Sequence, residues 1–275
     1  MNLTAITAAI TELAYPLLVA AAIAVARALG MIMLTPAFTR LGLTGMIRSA
    51  VAFVVSLPMI MPIFQQLALS GQPTSFDLAG LLIKEMVVGA LIGLALGIPF
   101  WAAEVAGDLV DLQRGSTMSQ LLDPSSAGES SVTATLLTIS LLALFFMSGG
   151  FMLLLDGFYR SYQLWPAASF APVLNPYAFV AVLRVLDRVM QIGVIIIAPL
   201  VIAILIVDIM MAFLSRMASQ LHVFDLSLAV KNLLFTFLMV LYLMFLVPLL
   251  LDQLGEMRGT FEILRGFVTN GEDAP

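Results

Sequence analysis

Charge-free stretches alternate with short polar breaks along this chain. Residues 49–76, 86–103, 130–155, 189–207 and 232–251 contain no Asp, Glu, Lys or Arg, and 13–35 is interrupted only by Arg27. A membrane-spanning helix needs about 20 consecutive apolar residues. The pattern therefore predicts six hydrophobic helices, at roughly 13–35, 48–69, 78–103, 131–155, 177–213 and 228–251. The fifth is long, and Pro199 is its candidate break. An even number of spans puts both termini on one side. The expected fold class is an all-α integral membrane protein with its helices in hairpins and a polar, plug-like insertion. Residues 1–254 are expected to form a single membrane domain, and 255–275 a short polar tail.

The insertion is the segment from Glu104 to Ser131, between two very apolar stretches. It carries Glu104, Asp108, Asp111, Arg114, Asp123 and Glu129, with Gln113, four Ser and a Thr among them. It also keeps Val105, Leu109, Leu112, Met118, Leu121 and Leu122 at helical spacing, which a plain loop does not need. Glu104, Asp108 and Asp111 fall on one helical face, and Arg114 is placed to pair with Asp111. Gly115 can end the helix in a left-handed cap. Asp123-Pro124 begins a turn, and Ser130 or Ser131 can cap the next helix. Such a length is unusual for a mere connection. At membrane depth, irregular backbone survives only inside protein or beside water. A plug or constriction in a pore fits both facts, with Gly107 and Gly115 allowing tight turns and Gln113 offering uncharged polar contacts.

Composition narrows the function further. Of the 275 residues, 61% are hydrophobic and 11% charged, against about 25% charged in soluble proteins; mean hydropathy is +1.09. The start lacks a basic n-region and a small-residue cleavage site, and reads as mature protein. With no Cys, disulfides and thiolate metal sites are excluded. The one histidine, His222, is too few for a two-histidine zinc motif or a haem pair, so no cofactor or metal is expected. Net charge is −5, and no basic patch speaks for nucleic acid. Ser116 and His222 lack a nucleophile elbow and a third orienting group, so an enzyme is disfavoured. Lys and Arg fall on every connection, so the positive-inside rule gives little orientation.

Two further patterns concern packing and charge. Gly89, Gly93 and Gly97 lie on one face of the third helix, with a similar small face at Ala20, Ala24 and Ala28 on the first. Close packing of internal helices is the favoured reading, packing against another subunit the other. Arg27, Lys84–Glu85, Arg184/Asp187/Arg188, Asp208 and Arg216 are charges within apolar helices. Each would cost roughly 2.5–3.5 kcal/mol at a bilayer centre. Salt bridges between helices or subunits are favoured over a substrate or proton path. The competing function is a proton- or solute-coupled secondary transporter that uses these charges as its site. The connection 156–176, with Phe158, Tyr159, Arg160, Tyr162 and Trp165, suits a membrane interface.

The segment AGDLVDLQRGSTMSQLLDP resembles the signature of the type III secretion export-apparatus family SctT, whose flagellar relative is FliR. Ala106, Gly107, Asp111, Gln113, Gly115, Asp123 and Pro124 match it, and Ser119 stands at its small-residue position. Arg27, Gly30, Pro36 and Arg48 resemble an N-terminal block, and Glu85, Gly89 and Gly93 an ExxxGxxxG helix. LSRMASQLHVF resembles LSRxxPQLNVF, with Ser219 and His222 as departures. DGFYRSYQLWP is closer to the injectisome branch than to the flagellar one. The resemblance covers nearly the whole chain. It implies a non-enzymatic subunit, similar to a fusion of the R and S gate subunits, that closes a ring with SctR-like and SctS-like partners. That ring would be the entry portal for unfolded secreted proteins at the bacterial inner membrane, raised into the secretion-system base. An SctU-like switch protein would wrap it, and the energy sources would act elsewhere in the machine. Gly107, Asp111, Gln113, Arg114, Gly115, Asp123 and Pro124 would belong to the plug.

Overall fold

Pro16 sits in the first turn of the first long helix, where its missing N–H costs nothing. That helix, α1 (Tyr15–Leu34), stops at Thr35, which is extended (φ −77°, ψ 117°) as the residue before Pro36 must be. In this computed structural model the described residues are 14–71, 73–116, 131–170, 178–217 and 223–259, with residue 264. The further helices are α2 (Pro36–Thr39), α3 (Gly45–Ser70), α4 (Ser75–Arg114), α5 (Val132–Met147), α6 (Gly150–Leu164), α7 (Ala178–Met217) and α8 (Val223–Gly255), then a 3-10 turn, Glu256–Gly259. Among the described residues no strand occurs. Among the described residues, five helices are long and apolar enough to cross a membrane, and α5 with α6 forms a bent pair that makes a sixth candidate span.

Local chemistry sets the helix ends. Thr74 and Asp77 form a reciprocal capping box at the start of α4: Thr74 N donates to Asp77 Oδ2 at 3.2 Å, and Asp77 N to Thr74 Oγ1 at 3.3 Å. Gly115 ends α4 with φ +76°. Its N–H donates to Leu112 O, and that of Ser116 to Asp111 O, both at 3.1 Å. Together these form a Schellman motif, which a glycine allows without steric cost. Ser131 caps α5 by accepting from Ala134 N at 3.0 Å.

Three helix assignments differ from the hydropathy pattern. The stretch 131–155 is interrupted at Ser148–Gly149, where Gly149 takes φ +80°. Apolarity runs through this break, so hydropathy alone does not reveal it. The stretch 156–164, expected as an interfacial connection, belongs to α6. Phe158 and Trp165 are buried there rather than placed at a headgroup layer. Pro199 lies inside α7 without ending it. Its ring removes one backbone N–H, and the Tyr242 hydroxyl donates to the neighbouring Ile196 carbonyl at 2.7 Å.

The chain groups into two compact units. One comprises Met1–Gly97, Gly150–Val185 and Glu256–Pro275, the other Ile98–Gly149 and Leu186–Gly255. The core of the first includes Val19, Ala20, Ile23 and Ala24 of α1, Ile63 and Leu67 of α3, Leu81 of α4, and Ala167. Its tightest contact is α1 against α4. An ideal Cβ on Gly89 would lie 2.0 Å from Arg27 O, one on Gly93 2.5 Å from Met31 O, and one on Gly30 2.2 Å from Met86 O. Glycines from both helices therefore let the backbones touch. Gly97, the last small residue of that face, is buried. In the second unit Phe100 of α4 meets Phe145 of α5 edge to face, 5.4 Å between centroids.

Candidate functional site

The first unit contains a buried three-charge cluster. Arg27 on α1 and Glu85 on α4 are both fully buried. The guanidinium makes a two-pronged pair with the carboxylate: Nη2 donates to Oε1 at 2.9 Å, and Nε to Oε2. Its remaining donors reach Ser161 Oγ at 3.1 Å and Trp165 O at 2.7 Å. The Tyr162 ring stacks on it, 3.7 Å from Cζ to centroid. Lys84 Nζ lies 2.7 Å from Glu85 Oε1. It also donates to the carbonyls of Pro166 at 2.8 Å, Ala167 at 3.3 Å and Ser169 at 3.0 Å. Two cations thus meet four carbonyls of the turn that follows α6. This is the helix end where positive charge is favoured and carbonyls lack helical donors.

The second unit carries its own polar cluster, built where α4 ends. Asp111 is buried at 1% exposure, so each of its lone pairs needs a donor. Its Oδ1 accepts from Arg114 Nε at 2.8 Å and Thr133 Oγ1 at 2.6 Å. Its Oδ2 accepts from Ser131 Oγ at 2.6 Å and Thr133 N at 3.1 Å. Arg114 continues to Thr133 Oγ1 at 3.3 Å and Asn232 Oδ1 at 3.5 Å, and stacks over Phe235 at 4.5 Å. Lys231 bonds Gln113 O at 3.2 Å and pairs with Asp208 at 2.9 Å. The end of α4, the start of α5, the last third of α7 at Asp208 and the first third of α8 at Lys231 and Asn232 are joined in this way.

Gly107 lies one turn before Asp111 on the same face of α4. An ideal Cβ there would lie 2.2 Å from Ala134 Cα. It is a helix-contact glycine within α4, not a turn residue, which corrects the role expected for it. Gly115 does take the left-handed cap.

The structure brings Gly107, Asp111, Arg114 and Gly115 together with the backbone of Gln113. Asp123 and Pro124 lie outside the described residues, as do Ser119, Ser130 and His222. Of the charges within apolar helices, Arg27 and Glu85 join in the first unit, while Asp208 meets Lys231 in the second. Arg184, Asp187, Arg188 and Arg216 are exposed on the chain. Sequence reasoning missed Ser161, Thr133, Lys231 and Asn232. Lys231 left a signal, because it borders the charge-free run 232–251. Ser161 and the Trp165 carbonyl left none, being far from Arg27 in sequence.

The charged groups of both clusters are hydrogen-bonded internally, whereas the Tyr162 hydroxyl in the first is buried with no hydrogen-bond partner. Among the described residues, no group of three His, Cys, Asp or Glu could hold a metal ion.

A model of the family described as bacterial export proteins, family 1, matches residues 18–257. The chain is 38% identical over 181 residues to Yop proteins translocation protein T of Yersinia pestis, covering 64% of this chain and 69% of that protein. It is 30% identical over 219 residues to secretion system apparatus protein SsaT of Salmonella typhimurium, covering 79% and 84%. It is 26% identical over 200 residues to flagellar biosynthetic protein FliR of Pectobacterium carotovorum, covering 72% and 74%.

Proposed function

The chain belongs to the bacterial export proteins, family 1, and from that membership we propose that it is the T-type subunit of a type III export gate. It is a multi-pass membrane protein of the SctT/FliR family. Its role is non-enzymatic. With R-type and S-type subunits it closes the inner-membrane portal through which unfolded proteins enter the secretion path, and a U-type switch protein binds that assembly. The observation that carries the reading is the family match over residues 18–257. The higher identity to translocation protein T and SsaT than to FliR favours the injectisome branch.

Within that gate, the segment 104–131 narrows or seals the path. Two features support this role. The first part of the segment, from Glu104 to Arg114, continues helix α4, and Gly115 ends that helix with a left-handed cap. Asp111 is buried and pairs with the half-buried Arg114, so the end of α4 is anchored within the protein where the segment departs.

Mild-detergent pull-down of a C-terminally tagged chain from its native host, read by mass spectrometry, tests the assignment. R-type and S-type subunits are expected to co-purify, and their type identifies the branch. A lone monomer or homodimer, with the tag shown to be harmless, would overturn it.

A further inference from the structure

The helix α3 buries one side, with Ala52, Val55, Ile63 and Leu67, and leaves the other open. The open side presents Phe53, Val54, Leu57, Pro58, Met61 and Pro62, all exposed. Hydropathy alone would assign it to lipid, since residues 49–76 carry no charge. The two prolines inside this helix argue otherwise. A proline has no N–H, so it leaves the carbonyl four residues earlier without its helical donor. Pro58 frees Val54 O, and Pro62 frees Pro58 O. Val54 is 62% exposed and Pro58 is exposed as well. The two carbonyls lie one turn apart, about 6 Å along the axis, in the middle third of α3. Hydroxyls close by are engaged elsewhere. Ser56 Oγ donates to Phe53 O at 2.8 Å, Ser49 Oγ to Gly45 O at 3.0 Å, and Tyr159 Oη to Val55 O at 3.0 Å. Hydrocarbon offers no donor, and a backbone acceptor left bare in it is costly. Prolines are tolerated within spanning helices where neighbouring groups supply the missing donors.

We infer that this side of α3 is a protein interface, and that its occupant is an apolar helix of a neighbouring gate subunit with two Ser, Thr, Asn or Gln donors one turn apart. The inference rests on the gate reading above, and it names where on this chain a neighbour sits and by what chemistry. The donors meet Val54 O and Pro58 O, the kind of polar contact that joins helices in an apolar setting. The neighbour's apolar side chains cover Phe53, Leu57 and Met61. Its contacting face is uncharged, because this side of α3 has no charge to pair with one. Gln65, exposed about one turn beyond Pro62, extends the same polar line.

The test uses the assembled complex in its native host. The photo-crosslinker p-benzoylphenylalanine replaces Phe53, Leu57 or Met61, one at a time, in the tagged chain. Cells are irradiated, the complex is extracted, and adducts are mapped by mass spectrometry. Each position is expected to give an adduct with an R-type or S-type subunit. The crosslinked helix is expected to carry two Ser, Thr, Asn or Gln residues three or four positions apart. No protein adduct, in a complex that still co-purifies those subunits, places this side of α3 against lipid and overturns the inference while the gate reading stands. An adduct with a second copy of this chain, with a protein outside the gate, or with a gate helix lacking such donors overturns it equally. Phe53 is already aromatic, so its replacement decides if the other two fail to assemble. A wild-type chain that brings down no gate subunits overturns the gate reading and this inference together.

Discussion

Glu85 is the side chain on which most of the first polar cluster depends. It is the shared counter-ion of Arg27 and Lys84, and it is fully buried. Removing one partner of a buried pair leaves an uncompensated charge and costs about 3–5 kcal/mol. Glu85→Gln is therefore expected to lower the thermal midpoint of the purified complex sharply. Arg27→Met should cost less, because Glu85 keeps Lys84 and Lys84 keeps its three carbonyls. Thermal unfolding of both variants in one detergent measures the order. Equal losses would mean that the cluster is not organised around its anion.

At the scale of the helix, glycine position decides what a single methyl group does. Gly89→Ala would force its Cβ to within 2.0 Å of a backbone oxygen on α1, which cannot swing aside. The helices must separate, at a cost of about 1–3 kcal/mol or more. Gly157→Ala meets only Leu96 Cδ2 at 3.6 Å, an ordinary contact. It should be neutral, or stabilising by roughly 0.5–1 kcal/mol, since Ala outranks Gly inside a helix. Melting the two variants side by side separates a contact glycine from a tolerated one. Gly115 presents a different constraint, a φ of +76°. Gly115→Val should cost about 1–2 kcal/mol at the end of α4, and Gly115→Asn less, since Asn visits this region more readily. Under the proposed plug role, Gly115→Val lowers secretion while the chain still co-purifies with its partners. Loss of the complex itself would assign Gly115 to assembly.

Across the molecule, much apolar surface remains uncovered by the chain's own packing. Phe53, Val54, Leu57 and Met61 of α3 are exposed, as are Phe237, Val240, Leu241, Met244 and Phe245 of α8. An apolar surface of this kind needs lipid or protein against it. The chain is expected to stay in the membrane pellet through an alkaline wash and to require detergent for extraction. Met244, 82% exposed, offers a sharper check. On a soluble helix Met244→Glu would be nearly silent. Against lipid it costs roughly 2.5–3.5 kcal/mol on insertion scales. A marked fall in the amount of membrane-inserted chain is therefore expected, by immunoblot of washed membranes, and unchanged levels would show that this face does not meet lipid.

Hydropathy by itself determined the class of fold and the approximate position of each long helix, because burying about 20 apolar residues in sequence is a local property. Local chemistry also revealed the Gly115 cap and the Arg114–Asp111 pair, each of which joins residues close along the chain, and narrowed the cap of α5 to Ser130 or Ser131, of which the structure uses Ser131. What the sequence left open was decided by distance in space. Whether Arg27 faced a substrate path or a counter-ion depended on Glu85, Ser161 and Trp165 arriving beside it from other helices. Pro199 reads as a candidate break, yet α7 continues through it. Gly107 reads as a turn until Ala134 is found against its Cα. Asp111 reads as one more acid on a helical face until Ser131 and Thr133 close on it. Periodicity tells which side of a helix is apolar, but only tertiary packing selects what that side, or a charge on it, touches.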